Sequence, residues 1–362
     1  MSVRQHEAMA DRRNLRTMIR VKFMARGIRR LGASDHLWRR QFPRGGTIWG
    51  DCEFILDCDA RDYDWLVVFS EFPPLALERF SLWQEELACP RERTIFITNE
   101  PSSVKNYGSD FLAQFGWVIT SQSPEVVHHP GALFKQSGYR WFYGAACKPI
   151  LDYTAIAASP PLAKSAVIST VCSAKRQKHT LHATRYDFTW RLKQDLPELE
   201  IFGHGVRPVD DKSEALDTFR YHLVVENHVA PHHWSEKLSD AFLGLSLPFY
   251  HGCPNASDYF PPASFIPINI ADYEGSLEII RSAIAEGLFE KRLPDLLEAR
   301  QRVLDVHQIF PMVAHEIEAR RDLAAGAKSG GQIRSRKLMR QKNPWLAVKM
   351  AVEKFRLHKR RR

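Results

Sequence analysis

The residues best placed to do chemistry lie at a strand end and a helix start in the second half of the chain. The run Tyr221 to Val225 is apolar and rich in β-branched residues, which predicts a buried strand. Glu226 and Asn227 follow at its carboxyl end, where open α/β sheets bind ligands. Glu236 and Lys237 fall in the first turn of a predicted helix, where backbone N–H groups favour an anion. The pattern predicts half of a site for a phosphorylated ligand.

The loop between this strand and this helix also allows a metal site. It contains the histidines His228, His232 and His233. His232 and Glu236 are four residues apart and would share a helix face, but Pro231 and the candidate N-cap Ser235 indicate that a loop precedes the helix. We therefore predict no metal. A plainer alternative is an ordinary helix start, in which the helix dipole favours a glutamate.

The elements that position these residues alternate between strands and helical segments, as in parallel α/β sheets. The predicted strands of the first half are Ile19 to Met24, Cys52 to Leu56, Trp65 to Phe69, Thr94 to Thr98 and Trp117 to Thr120. Those of the second half are Ala166 to Val171, Leu199 to Phe202, Tyr221 to Val225 and Leu247 to Tyr250. We predict an α/β fold with two Rossmann-like domains.

The domain boundaries follow from shifts in composition. We predict a disordered N-terminus at residues 1–15, a first domain at 16–155, a second at 160–325 and a basic amphipathic tail at 326–362. Within them, residues 72–89 indicate a loop and a helix, and residues 325–335 indicate a flexible linker. The helix predicted at residues 296–319 could return to the first domain.

Composition and charge exclude several classes of protein. The chain has 362 residues, 44% of them hydrophobic, and no run of 18 apolar residues, so we expect a globular protein without a membrane span. Its six cysteines are scattered, which favours reduced thiols in a cytoplasmic protein. The net charge is +9, but residues 334–362 alone contain twelve Lys or Arg and one Glu, which leaves the rest at −2. A basic central groove for specific nucleic acid is therefore not expected.

The tail itself has an amphipathic pattern. The residues Trp345, Val348, Val352 and Phe355 follow helical spacing after Pro344 and are surrounded by Lys and Arg. A basic amphipathic helix with a Trp indicates contact with an anionic membrane surface through residues 334–362. The alternatives are a solvated tail and a nonspecific RNA-binding segment.

Four motifs in order give the chain a resemblance to a known family. They are Val225-Glu226-Asn227, Ser235-Glu236-Lys237, Leu247-Pro248-Phe249-Tyr250-His251-Gly252 and Pro261-Pro262-Ala263-Ser264-Phe265-Ile266. Upstream, Arg185, Phe188 and Leu192 fit an R-x-x-F-x-x-x-L pattern, and Glu100-Pro101 follows a predicted strand. With these motifs the chain resembles the family 10 glycosyltransferases, the α1,3/α1,4-fucosyltransferases. Three features depart from the family: Ser235 stands for Thr, His233 stands for Tyr, and residues 25–90 match little.

The resemblance implies a GT-B architecture, in which two Rossmann-like domains face across a cleft. It implies GDP-fucose as the donor, inversion at the transferred sugar and no required cofactor or metal. Glu100 would be the catalytic base, and the donor-binding residues would be Arg185, Glu226, Asn227, His233, Glu236 and Lys237. Arginine suits a phosphate as a bidentate fork and lysine as a point charge. Without the resemblance, Glu100 is a loop carboxylate and Arg185 a solvated helix residue.

These observations predict a fucosyltransferase that acts on a glycan acceptor, either a surface polysaccharide or a lipid-linked oligosaccharide. We expect a cytoplasmic protein bound peripherally to the inner membrane face. Two alternatives stay open: the same fold with another GDP-sugar, and a catalytically inactive protein that binds glycans or membranes.

Overall fold

The computed structural model describes residues 18–28, 35–74, 78–173, 181–323 and 329–360, with side chains up to residue 353 in the last segment. The N-terminus predicted to be disordered lies outside these residues. In the first half, the strands are β1 (Ile19–Ala25), β2 (Ile48–Trp49), β3 (Cys52–Ile55), β4 (Trp65–Phe69), β5 (Gln84–Glu86), β6 (Thr94–Ile97), β7 (Trp117–Thr120) and β8 (Ala132–Phe134). The helices between them are α1 (His36–Arg39) and α2 (Ser109–Leu112).

Seven of these strands form one sheet, in the order β2-β3-β1-β4-β6-β7-β8. Its strand pairs are parallel except for β2 with β3. All five residues of β4, Trp65-Leu66-Val67-Val68-Phe69, are buried. A continuous apolar run of this kind is expected for a central parallel strand that is covered on both faces.

The second half forms a sheet of parallel strands in the order β10-β9-β11-β12-β13. Its strands are β9 (Ala166–Val171), β10 (Leu199–Phe202), β11 (Phe219–Val225), β12 (Leu247–His251) and β13 (Ile266–Pro267). Its helices are α4 (His182–Asp195), α5 (Glu236–Leu243), α6 (Tyr273–Ala285), α7 (Leu288–Lys291) and α8 (Leu293–Arg302), after α3 (Tyr153–Ala158) in the connection between the sheets. Two parallel sheets with helices between their strands confirm the predicted α/β fold.

The chain returns to the first sheet after α8. A π-helical turn at Val303–His307 breaks the helix predicted at residues 296–319, and α9 (Ile309–Glu318) follows it. Phe310 is fully buried in the first core, where its ring centroid lies 5.2 Å from that of Phe23 and 4.0 Å from that of Phe42. The predicted return is therefore present. The domain boundary between residues 155 and 160 stays a prediction.

Two predicted elements are wrong. Residues 84–86, placed in a helix, form β5, and residues 332–334, placed in a flexible linker, form β14 (Gln332–Arg334), which pairs antiparallel with β5. Ile333 is 1% exposed in a core with Phe72 and Leu87, and Glu85 accepts a 2.6 Å hydrogen bond from the buried Lys22. The buried contacts of alternate residues outweigh the local helical pattern. Residues 75–77 and 324–328 of these two segments lie outside the described part.

The tail contains α10 (Arg336–Lys342) and α11 (Pro344–Arg360). One face of α11 packs on α2, where Glu353 accepts a 2.6 Å hydrogen bond from Ser109 and Lys349 lies 2.8 Å from Asp110. The same helix carries three exposed apolar side chains, Trp345, Val348 and Val352. The side chain of Phe355 and the terminal basic run lie outside the described side chains. Nowhere in the described chain is a helix both long enough and apolar enough to cross a bilayer.

Candidate active site

A cavity of about 620 Å³ lies where the carboxyl ends of the two parallel sheets meet. From the first sheet it is lined by Ser70 and Glu71 after β4, and by Asn99 and Glu100 after β6. From the second half it is lined by Glu226, Asn227, His233, Glu236 and Lys237. The sequence-predicted catalytic base thus lies in the same cavity as five predicted donor-binding residues.

A second cavity, of about 300 Å³, adjoins the first on the side of the second sheet. Asn227, Glu236 and Lys237 line both cavities, while Arg185 and Lys212 line only the second. The structure therefore brings all seven predicted site residues to two adjoining spaces. Ligands are expected there, because strand carboxyl ends and a helix N-terminus converge on them.

A buried carboxylate organises the N-terminus of α5. Glu226 is 1% exposed and accepts hydrogen bonds from the Ser235 backbone N–H at 2.8 Å and from the Ser235 hydroxyl at 2.7 and 2.9 Å. Lys237 Nζ lies 3.3 Å from Glu226 and 3.2 Å from Glu236. Ser235 is the N-cap of α5, as predicted. Because the acceptor atoms of Glu226 are engaged inside the protein, its main effect is to fix Lys237 at the helix start.

The charged groups at the N-terminus of α5 shift the pKa of one another so that each stays ionised. Burial alone would raise the pKa of Glu236, but Lys237 and then Lys212 outweigh it and lower that pKa to about 2. Burial would likewise lower the pKa of Lys237, but Glu226 and Glu236 raise it above its usual value. Both groups are therefore ionised at neutral pH, and the lysine is held as a fixed cation facing both cavities.

Arg185 is the residue of the site whose surroundings most clearly indicate that an anion binds there. It lies on α4, is 6% exposed and lines the second cavity. Its Nε atom is buried and has no hydrogen-bond partner within the described residues, and the same holds for Asn227 Oδ1. Buried polar atoms without partners are rare, since each costs about 1–3 kcal/mol. Arg185 is thus no solvated helix residue, and a ligand with acceptor oxygens would satisfy it.

The three loop histidines contact different partners. His228 Nδ1 lies 3.2 Å from Ser103 Oγ, and His233 Nδ1 lies 3.2 Å from Ser121 Oγ. His232 Nδ1 lies 2.7 Å from the Tyr259 hydroxyl. Within the described residues, these histidines are not part of any group whose ligand atoms converge as a metal would need. Burial lowers the pKa of His233, so this side chain is neutral at neutral pH.

Glu100 lies opposite this charged cluster. Its backbone carbonyl accepts a 2.8 Å hydrogen bond from Gln122, and the preceding Asn99 carbonyl accepts a 2.6 Å bond from the Tyr139 hydroxyl. Burial, then Glu236, Glu226 and Glu100, raise the pKa of Tyr139 well above its ordinary value. Carboxylates from both sheets therefore act on one phenol, and the two walls of the cleft face each other there.

Sequence reasoning missed Tyr139 and the residues next to it. Arg140 and Phe142 line the first cavity together with Trp38 from α1. The segment from 135 to 152 connects β8 to α3 and contains no strand or helix, so neither periodicity nor a motif marked it. Lys212, which lies 2.5 Å from the buried Asp240, was also missed.

Comparisons with known proteins agree with the motifs. No model of a protein family matches the chain. Over 95 residues the chain is 28% identical to α-(1,3)-fucosyltransferase FucT of Helicobacter pylori, a match that covers 24% of this chain and 20% of that protein. The chain thus spans about a fifth of the curated relative it matches.

Solved structures with a similar chain course include an α1,3-fucosyltransferase, the same enzyme with GDP and the same enzyme with GDP-fucose. They are 14%, 15% and 14% identical, with TM-scores of 0.43, 0.45 and 0.42. The matches cover 81–82% of this chain and 92–93% of those chains. Over the matched 95 residues the chain is thus similar in sequence to an α1,3-fucosyltransferase, in agreement with the resemblance that its motifs indicate.

Proposed function

We propose that this protein transfers L-fucose from GDP-fucose to a hydroxyl of a glycan acceptor, with inversion at the transferred carbon. The observation that carries the proposal is Arg185, a buried guanidinium whose Nε has no partner in the described part of the chain and which lies beside the fixed cation Lys237. A diphosphate offers the paired anionic oxygens that a guanidinium fork and a lysine bind together. The second cavity would hold the GDP moiety, and the larger one would hold the fucose and the acceptor.

The chemistry needs a base on one side of the sugar and cations on the other. Glu100 would take the proton from the acceptor hydroxyl while the acceptor oxygen attacks the anomeric carbon. The bond from that carbon to the β-phosphate oxygen breaks, and its electron pair leaves with GDP. Arg185 and Lys237 would stabilise the charge that develops on the departing phosphate. Since base and cations lie on opposite walls of the cleft, attack from the face opposite GDP would invert the anomeric centre.

The other predicted donor residues have supporting roles in this proposal. Glu226 would fix Lys237, and Glu236 would accept hydrogen bonds from ribose or sugar hydroxyls. Asn227 would use its unpartnered Oδ1 as an acceptor for the donor substrate. His233, neutral and bound to Ser121, would contact the donor sugar, and its place in a Tyr position keeps a different GDP-sugar as the alternative.

GDP release from purified protein tests the proposal. We expect slow release of GDP from GDP-fucose, at least tenfold slower release from GDP-mannose, and loss of both in Arg185→Met. Faster release from GDP-mannose would identify another GDP-sugar as donor. GDP binding without release from either compound, in the presence of a panel of glycan acceptors, would support an inactive binding protein.

We also propose that the tail binds an anionic membrane surface, which would hold this cytoplasmic enzyme at the inner membrane face near a lipid-linked or surface-glycan acceptor. On α11 the side chains of Trp345, Val348 and Val352 are exposed, while Lys349 and Glu353 attach the helix to α2. The apolar side chains would insert at the interface while the surrounding cations bind lipid headgroups.

Vesicle sedimentation separates this proposal from a solvated tail. We expect binding to vesicles that contain phosphatidylglycerol, weak binding to pure phosphatidylcholine, and at least a tenfold loss in the double variant Trp345→Ser with Val348→Ser. The matched control is Ile279→Ser with Leu297→Ser, which removes exposed apolar side chains from α6 and α8 instead. Equal vesicle binding by both double variants, or no binding by the unmodified chain, would contradict the membrane proposal.

A further inference from the structure

The first cavity contains the guanidinium of Arg140, which no group within the described residues pairs with. Arg140 is half-buried and lines the cavity together with Glu100 and Tyr139. Its guanidinium carbon lies 4.7 Å from the ring centroid of Trp38 and 5.3 Å from that of Phe142. Throughout the described chain it has no hydrogen-bond or ion-pair partner. Burial lowers the pKa of Arg140, with no carboxylate to offset it.

Three other cations near the cleft, Lys105, Arg336 and Arg40, are already engaged by protein groups. Lys105, which lines the same cavity, lies 2.9 Å from Glu71, and Arg336 lies 2.8 Å from the same carboxylate. Arg40, the buried arginine nearest in sequence to Trp38, donates hydrogen bonds to the backbone carbonyls of Trp141, Tyr143 and Leu151. Arg140 differs from these three cations because its donors bind no acceptor among the described residues, while its guanidinium lies over two aromatic rings.

The position of Arg140 indicates which part of a substrate it would meet. The donor phosphates are assigned to Arg185 and Lys237, on the second half of the chain. Arg140 follows Tyr139, whose hydroxyl binds the carbonyl of Asn99, the residue before Glu100. An acceptor whose hydroxyl approached Glu100 would therefore extend along the wall that Arg140 occupies.

We propose that Arg140 binds an anionic group of the acceptor, so that the acceptor is a glycan with a carboxylate or a phosphate. This inference rests on the proposed function, because it uses Glu100 to locate the acceptor. A carboxylate or phosphate would pair with the guanidinium through two parallel hydrogen bonds. The neighbouring rings of Trp38 and Phe142 would shield part of the pair from water and so strengthen it. The exposed Arg26, which lines the same cavity, adds a second positive charge for such a group.

Three compounds that differ in one group provide the test. Methyl β-D-glucoside, its 6-carboxylate and its 6-phosphate are titrated into GDP-saturated protein at constant ionic strength, with GDP present to occupy the phosphate site. We expect at least one charged compound to bind tenfold or more tightly than the neutral glucoside, and the tighter of the two identifies the anionic group. Arg140→Met, which retains packing on the rings, should abolish the difference and leave GDP affinity unchanged.

The matched control is Arg320→Met. Arg320 lies 4.2 Å from the Trp117 ring centroid, as Arg140 lies over Trp38, but it is paired with Glu316 and does not line the cavity. This variant should keep the preference for the charged compound. Equal binding of charged and neutral compounds would overturn the proposal, as would a loss of GDP affinity in Arg140→Met, which would place Arg140 at the donor. Failure of the unmodified protein to bind GDP would instead contradict the proposed function itself.

Discussion

At the scale of single residues, the site is arranged around charges that the protein holds in place before any ligand binds. Lys237 is fixed by Glu226 and Glu236, and Glu226 is in turn fixed by both donors of Ser235. Such preorganisation costs nothing at the moment of reaction, which is why fixed cations stabilise a departing diphosphate well. Arg185, by contrast, has no partner at its Nε among the residues that the structure describes.

The Glu236 pKa gives a prediction about stability and pH. Its folded-state pKa of about 2 lies below its ordinary value of 4.5, so its stabilising effect is complete above about pH 5 and disappears as the pH falls towards 2. Since its side chain is 23% exposed, we expect Glu236→Gln to lower the free energy of unfolding by only about 2 kcal/mol at pH 6. Urea unfolding between pH 6 and pH 3 measures the difference, which should shrink with acidity.

The control for this prediction is Glu278→Gln, which changes an exposed glutamate on α6. It should leave the unfolding free energy unchanged across the same range. A difference between Glu236→Gln and the unmodified protein that stays constant down to pH 3 would contradict the assigned ion pairs.

Glu100→Gln separates catalysis from binding. An amide cannot accept the acceptor proton, so we expect turnover of GDP-fucose with an acceptor to fall at least about 100-fold, as is typical when a general base is removed. GDP affinity should be unchanged, because Glu100 lies on the wall opposite Arg185. Steady-state rates and calorimetric GDP titration measure the two quantities. Loss of GDP affinity with unchanged turnover would remove Glu100 from the catalytic role.

At the scale of elements, the strand β14 near the C-terminus packs in a core of the first half of the chain. Ile333 on β14 is 1% exposed among Phe72, Leu87 and Phe111. We expect Ile333→Ala to lower the free energy of unfolding by about 2–4 kcal/mol through lost burial and the cavity left behind. The control Ile48→Ala removes a side chain that is 56% exposed and should cost much less. Equal effects in chemical denaturation would mean that residues 332–334 behave as the linker that the composition indicates.

Strands with a strong local signal were predictable from the sequence, and elements fixed by distant contacts were not. Trp65 to Phe69 and Trp117 to Thr120 were placed at their observed bounds, because apolar runs mark buried parallel strands. β5 was missed because Gln84-Glu85-Glu86 has no apolar pattern, and its buried middle residue is stabilised by Lys22 from β1. β14 was missed because the glycine-rich stretch before it indicates a flexible linker.

The same distinction applies to the site. The positions of Glu226, Ser235 and Lys237 follow from one strand, one loop and one helix start, so spacing alone predicted that they meet. Arg140 and Tyr139 lie in an irregular segment whose course depends on contacts with both halves of the chain. One example is the pair of 2.9 and 3.0 Å hydrogen bonds from the Phe142 and Tyr143 backbone N–H groups to Asp240 on α5.

At the scale of the whole molecule, side-chain contacts and one returning helix join the two halves of the chain. Arg40 from the first half binds carbonyls of the connecting segment, and α9 returns from the second half to the first core. Ser103 and Ser121 from the first half contact His228 and His233 from the second. Glu100, the proposed catalytic base, and the proposed donor cations Arg185 and Lys237 therefore belong to different halves of the chain, and the proposed reaction would take place where the halves meet.

The most direct test of this account is the change in melting temperature that GDP produces in the unmodified protein and in Arg185→Met. Because no described residue pairs with Arg185 Nε, removal of its charge should leave the melting temperature without ligand unchanged or slightly higher. We predict that GDP raises the melting temperature of the unmodified protein and that the variant loses most of this increase, with GDP affinity reduced at least about tenfold. A GDP effect of the same size in both proteins, or none in either, would contradict the assignment of this cleft as a GDP-sugar site.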